Sequence, residues 1–239
     1  MQIVSQHVRE FLGRLGFSGK SAERTLPDVV LRSPQEVAAA YLRGLFEGDG
    51  AVERSGRSLL RVSLCAKSRA MLHQVQTLLL RFGIVSALSA DVNRATYRLL
   101  IVGREELQRF ADKIGFVSET KRAALTDALS LHTGKALSRT DLMPFVAEYV
   151  RHNAGRGHRE WAAKHNLDRP VRLAAALPRL AGALPVAALA TVTRLNESRY
   201  LYEMVTGIED VGTQRVYSIR VDSQCHSFVA NDFVNHNTE

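Results

Sequence analysis

Cysteine is scarce in this chain: Cys65 and Cys225 are the two in 239 residues. They lie far apart and fit no metal-ligand spacing, so a reducing cytoplasm is the simplest setting. Long apolar runs are absent, and with none near about 18 residues nothing is expected to span a membrane. The opening "MQIVSQHVREFLGRLGF" has no uninterrupted apolar block behind a basic cap, so it does not read as a secretory signal. What is present is enough hydrophobic residue, 46%, for a real core in one large domain or two small ones. The formal charge of +8 favours a polyanionic partner.

Internal similarity organises the chain. "REFLGRLGFSGKSAERTLPDVVL" (9–31) lies on "QRFADKIGFVSETKRAALTDALS" (108–130) without a gap. Phe11 falls on Phe110, Leu15 on Ile114, Gly16 on Gly115 and Phe17 on Phe116, and Leu26 meets Leu125. A helix that ends at glycine and is followed by Phe explains each copy locally. The second copy has a front section, 32–107, that the first lacks, so residues 1–31 read as the tail of a truncated first unit.

That front section has a legible order. Ser33-Pro34 opens a helix through "EVAAAYLRGLFEGDG", with Glu36 near its N-terminus. "AVERSGRSLLRVSLCA" and "SALSADVNRATYRLLIVG" read as hairpins on either side of the helical "SRAMLHQVQTLLLRFGI", which stops at Gly83. Helix, hairpin, helix, hairpin, helix is an α+β unit with one four-stranded sheet.

"LRGLFEGDG" (42–50) carries the chemistry. Gly44 and Gly48, four apart, let this helix approach another backbone closely. Asp49 sits at a helix C-terminus, where the macrodipole disfavours a carboxylate. Either it is a plain Asp-Gly turn into a strand, or two such ends converge two carboxylates on a divalent cation. Hard oxygen ligands suit Mg²⁺, which serves phosphodiester cleavage.

The stretch Leu42–Gly50 resembles the LAGLIDADG (dodecapeptide) motif of homing endonucleases, position by position. The resemblance continues through "VSLCAKSRAMLHQVQTLLLRFGIVSAL", "YRLLIVG" and "FADKIGFVSETKRAAL", so it covers roughly residues 5–130. It implies an αββαββα fold whose sheet lies in the DNA major groove. It further implies that Asp49 binds the catalytic metal and that Gly48 contributes a backbone carbonyl. Glu47 stands where Asp is more usual. Many members place a Lys at the end of the last strand near the scissile phosphate; here Val102-Gly103-Arg104 stand there, and Arg104 or Lys67 is expected to serve instead. One motif makes half an active site, so a second motif is required, from an upstream segment or from a homodimer paired through Gly44 and Gly48.

Arg54, Arg57, Arg61, Arg94 and Arg98 fall on the expected hairpins, where they can be solvated surface residues or can grip phosphates and pair with guanine. Arg61, Ser63 and Cys65 alternate with Leu60, Val62 and Leu64, which gives that strand one polar face.

Residues 131–195 change character, being basic, helical and broken by Gly and Pro, and read as a plain helical linker or a helix-turn-helix-like DNA arm around Trp161. His152, His158 and His165 have no coherent ligand spacing. From Tyr200 the pattern alternates through Val216, Ile219 and Val221, with turns at Asp210–Gly212 and Asp222–Gln224, and further hairpins are expected. The chain then runs "FVANDFVNHNTE". Asn237 can attack its own carbonyl to form a succinimide and cut the bond to Thr238. His236 is placed to donate a proton, His226 to assist as acid or base, and Thr238 to accept an acyl group.

"VYSIRVDSQCHSF" and "VANDFVNHN" followed by Thr resemble the C-terminal splicing blocks of inteins, with Ser218 where many carry Asp. The two resemblances in this order imply a bifunctional intein, a nuclease inserted in a Hint splicing fold. The implied divisions are 1–31, tail of a first repeat; 32–130, endonuclease unit; 131–195, linker or arm; 196–237, splicing segment; and 238–239, start of the downstream extein. Thr238-Glu239 are compatible with a host that is the A subunit of DNA gyrase. Inteins begin on Cys or Ser and carry an upstream Thr-x-x-His block; Met1 is no such nucleophile and no Thr-x-x-His occurs here. The expectation is a cytoplasmic, Mg²⁺-dependent, double-strand DNA endonuclease joined to C-terminal splicing chemistry, incomplete without an upstream half. A DNA-binding remnant that no longer cuts and a purely self-processing half are the alternatives.

Overall fold

The computed structural model describes residues 5–17, 19–55, 59–91, 94–131, 142–198, 200–202, 205, 207–217, 219–222, 226–230 and 233–236. The chain divides into two compact units, Met1–Ser138 and Arg139–Glu239.

In the first unit, α1 (Gln6–Arg14) and the single-turn α2 (Asp28–Leu31) precede α3 (Gln35–Asp49), which passes directly into β1 (Gly50–Ser55). Then come β2 (Leu59–Ala66), α4 (Arg69–Leu80), β3 (Ala87–Asp91), β4 (Thr96–Val102), α5 (Arg104–Lys113) and α6 (Glu119–Leu131). The four strands form one antiparallel sheet in the order β1-β2-β4-β3. This is the helix–hairpin–helix–hairpin–helix order expected from the pattern. Local signals hold at the ends: Ser68 Oγ accepts the Met71 amide at 3.1 Å to cap α4. Gly83 then turns the chain with φ +70°.

Period-2 alternation decides the two faces. Leu60, Val62 and Leu64 on β2 and Leu99 and Ile101 on β4 are buried, packed with Leu42 and Phe46 of α3, Leu72 and Leu79 of α4, and Phe110 of α5. Phe46, Phe110 and Phe116 make an edge-on aromatic chain with centroids 4.9 and 5.4 Å apart. The opposite face carries Glu53, Arg61, Ser63, Cys65, Ser89 and Arg98.

The two similar stretches share a local geometry. Gly16 and Gly115 both end their helices at positive φ, +92° and +65°. The Leu15 and Ile114 amides donate to the Phe11 and Phe110 carbonyls, respectively. Packing separates the copies. Phe110, Ile114 and Phe116 are buried, whereas Phe11 and Phe17 are exposed and α1 has no buried residue.

In the second unit the stretch expected to be a linker or an arm is a packed helical cluster. It comprises α7 (Val146–Asn153), α8 (Arg156–Lys164), α9 (Pro170–Leu180) and α10 (Val186–Ser198). Val150, Leu167, Leu173, Leu180 and Val192 are fully buried in a core of its own. One hairpin is present among the described residues of this unit, and neither expected turn joins it. β5 (Ser227–Ala230) pairs antiparallel with β6 (Phe233–His236). The described residues between 200 and 222 hold no strand; Val216 and Ile219 of the alternation that suggested one stand exposed, as do Ile208, Val211 and Tyr217. Alternating residues form a stable sheet only where one face is buried. No helix of the described residues is long and apolar enough to cross a membrane.

Candidate active site and nucleic-acid face

The site is built where α3 becomes β1. Gly50 is required by close approach: a Cβ there would lie 2.5 Å from the Phe46 carbonyl oxygen and 2.9 Å from Phe46 Cα. The helix therefore ends abruptly, with Asp49 as its last residue. Asp49 is exposed, and its carboxylate makes no hydrogen bond or ion pair among the described residues. Gly44 and Gly48 have open space where a side chain would be, so nothing described in this chain uses their smallness.

The neighbouring acid is already committed. The Glu47 carboxylate accepts the Val117 amide at 2.8 Å and the Ser118 amide at 3.1 Å, so it caps the start of α6. Those bonds, Ser118 first, hold its carboxyl below the ordinary range, with Lys121 helping.

Lys121, from the first turn of α6, is the residue that pattern reading missed. Its Nζ donates to the carbonyls of Glu47 at 2.5 Å, Gly50 at 2.8 Å and Phe46 at 3.4 Å. An ammonium there satisfies orphan carbonyls and opposes the negative end of the α3 dipole. It leaves the Gly48 carbonyl out of its bonds. Lys67 or Arg104 was expected near the scissile phosphate; the cation on this helix end comes from α6. The signal was the polar run after the repeated Gly-Phe, which fixes no three-dimensional neighbour.

Strand register places the other candidates. Gly50 faces Leu64 on β2, so β2 runs toward the Asp49 end and the exposed Lys67 follows just beyond it. β4 runs the other way, with Ala66 opposite Tyr97 and Arg61 opposite Val102. Arg104 therefore lies past the far end of β4, and its Nη1 donates to the Leu129 carbonyl at 2.9 Å. Arg54 is exposed at the far end of β1, and Arg94 is exposed with its amide on Asp91 Oδ1 at 3.3 Å. Arg57 lies outside the described residues.

Arg61 and Arg98 meet on the outer sheet face. Arg61 Nε and Nη2 both reach Glu53 Oε2 at 2.6 Å, Ser63 Oγ donates to Oε1, and Arg98 Nη1 stands 4.0 Å from Oε2. Partial burial pushes the Glu53 carboxyl up, but the bonds from Ser63 and Arg61 and the two guanidinium charges outweigh it and leave it below its ordinary value. Arg98 Nε is shielded from solvent, with no acceptor among the described residues.

Hard oxygens are the right donors for Mg²⁺, and Asp49 with the Gly48 carbonyl offers them. Among the described residues no three His, Cys, Asp or Glu side chains gather to hold a metal. One copy of this helix end thus fits half of such a site.

In the second unit the β5–β6 register pairs Ser227 with His236, so His226, one residue before β5, comes to the same end of the hairpin as His236. His226 has φ +47°. Asn237 and Thr238 lie outside the described residues.

Comparison with known proteins gives the class. A LAGLIDADG-like domain is present over residues 36–115, the span that holds α3, the sheet and α5. The chain is 36% identical over 226 residues to the A subunit of DNA gyrase from Mycobacterium gordonae, covering 92% of this chain and 40% of that protein. It is 31% identical over 225 residues to the corresponding gyrase protein of Mycolicibacterium flavescens, again 92% and 40%. Replicative DNA helicase DnaB of Rhodothermus marinus is 31% identical over 258 residues, 97% of this chain and 26% of the helicase. The chain spans less than half the length of these relatives.

Proposed function

We propose that this chain is part of a bifunctional intein: one half of a site-specific, double-strand DNA endonuclease joined to the C-terminal segment of a protein-splicing fold. The observation that carries the nuclease reading is Asp49, exposed and unpaired among the described residues, at the end of a helix whose Gly44 and Gly48 are open to a partner. The intein reading has separate support. Nearly the whole chain matches inside a DNA gyrase and inside a helicase, two proteins of different name, as an insert carried by different hosts would.

A second motif, from an upstream segment or another copy, packs on the Gly44–Gly48 face and brings its carboxylate to Asp49. Asp49 and the Gly48 carbonyl, with their counterparts on the second motif, would hold Mg²⁺, which when bound would supply activation of water and stabilisation of the leaving oxygen. Lys121 fixes the helix end and sets a positive charge near the scissile phosphate, with Lys67 at the same end of the sheet. Arg61 and Arg98 face the major groove, where a guanidinium can pair with a base edge or phosphate. In the splicing segment Asn237 cyclises, His236 and His226 carry protons, and Thr238 accepts the acyl group. The exposed Ile208, Val211, Val216 and Tyr217 are the face on which the upstream splicing half packs.

The test uses plasmid carrying the uninterrupted host gene, Mg²⁺, and the chain reconstituted with its upstream half. Wild type linearises the plasmid; Asp49→Asn binds it with similar affinity and does not cut. Binding without cutting by the reconstituted wild type would sink the nuclease reading.

A further inference from the structure

Positive charge gathers at the corner between α7 and α8. Between residues 142 and 198 there are eight Lys or Arg against four Asp or Glu, and they are not evenly spread. Arg151 and His152 lie in the last turn of α7; Arg156, His158 and Arg159 lie in the first turns of α8, across the two-residue turn Ala154-Gly155. Arg151, Arg156 and Arg159 are exposed, and none pairs with a carboxylate among the described residues. Arg159 Nε is anchored on the Ala154 carbonyl at 3.2 Å, which fixes its guanidinium at the turn.

Three of the four acids lie away from the corner. Asp168 is spent on α7's N-terminal end, where its Oδ1 accepts the Ala147 amide at 2.8 Å. Glu148 lies in the first turn of α7, away from the corner. Glu160, the one carboxylate on α8, follows Arg159 and lies one turn after Arg156, and it forms no ion pair with either. Two arginines in α8's first turn sit at the positive end of its dipole, with no acid there and no side-chain cap. That arrangement is unfavourable alone and is relieved by an anion. Space is open around Gly155 and Gly157, so a backbone of phosphates can come close. Val146, Val150 and Ala162 point into the core, so the corner offers charge and little apolar area, which fits a polyanion better than an apolar protein surface.

We infer that the α7–α8 corner docks on the phosphate backbone of double-stranded DNA, with Arg151, Arg156 and Arg159 as its contacts. The inference rests on the nuclease reading for the choice of DNA, and it makes the helical unit a second, sequence-independent clamp in addition to the sheet.

The experiment measures the affinity of the full chain for a fluorescent duplex of about 40 base pairs across a salt series, because each phosphate contact contributes about 0.9 to the slope of log K against log salt. The double variant Arg151→Gln/Arg156→Gln is compared with wild type and with Arg194→Gln, an exposed arginine on α10. Unaltered Trp161 fluorescence checks that the unit stays folded. The expected result is a slope shallower by about 2 in the double variant and nearly unchanged in Arg194→Gln. Wild-type binding with an unchanged slope in the double variant overturns the clamp and leaves the nuclease reading standing. No DNA binding by wild type overturns both. Equal losses in the double variant and in Arg194→Gln overturn the clamp in favour of diffuse charge.

Discussion

Replacing Lys121 by Met keeps the aliphatic stem and removes the ammonium from three carbonyls at the end of α3. Charged hydrogen bonds contribute about 1.5–3 kcal/mol, a cation at a helix C-terminus about 0.3–1 kcal/mol, and a cation over an aromatic ring about 0.5–1 kcal/mol; Lys121 Nζ lies 5.5 Å from the Phe116 ring centroid. Water reaches the partly buried side chain, so the low end of each range applies. The expected loss is about 2 kcal/mol, or roughly 8 °C in Tm for a unit of this size. Far-UV circular dichroism during urea titration reads the loss. Trp161, the one tryptophan, lies in the other unit and gives an internal control. A loss below about 0.5 kcal/mol, the range of ordinary surface substitutions, would refute the reasoning. An equal shift of the Trp161 transition would refute the assignment of the effect to the first unit.

Gly50→Ala forces a Cβ against the Phe46 backbone and should cost about 2 kcal/mol or more, read by the same titration. Gly44→Ala meets open space and should leave folding unchanged or better by about 0.5–1 kcal/mol, while weakening association with the upstream half in sedimentation velocity. Acid sensitivity follows from Glu47 and Glu53, whose folded pKa values are both depressed. Their contribution is present above the unfolded value of about 4.3 and is lost as pH falls through the depressed folded values. Glu53→Gln should therefore flatten the fall of Tm below that pH, and an identical Tm–pH curve for variant and wild type counts against it. Intact mass of the reconstituted intein should show Thr238-Glu239 released, with release prevented by Asn237→Ala; retention in the wild type would remove Asn237 from the chemistry.

The order of elements in the first unit was legible in the sequence, because period-2 and period-3.6 apolar patterns with glycine stops are local signals. Leu60, Val62 and Leu64 announce the buried face of β2 as directly as Arg61, Ser63 and Cys65 announce the other. The repeat of Gly16-Phe17 in Gly115-Phe116 could be read for the same reason, and so could the acidic helix end at Asp49. The hairpins expected near Val216 and Ile219 show where a local pattern is insufficient, since alternation needs a second surface to bury it. That residues 142–198 pack on a core of their own emerged from the folded chain, because which amphipathic faces meet depends on all four helices together. The neighbours of Asp49 emerged the same way. Glu47 is taken by the amides of Val117 and Ser118, some 70 residues on, and Lys121 closes the helix end from the same turn. Arg104 is carried to the opposite end of the sheet because β4 runs antiparallel to β2. Contacts between residues far apart in sequence leave no periodic trace; strand direction and helix packing fix them.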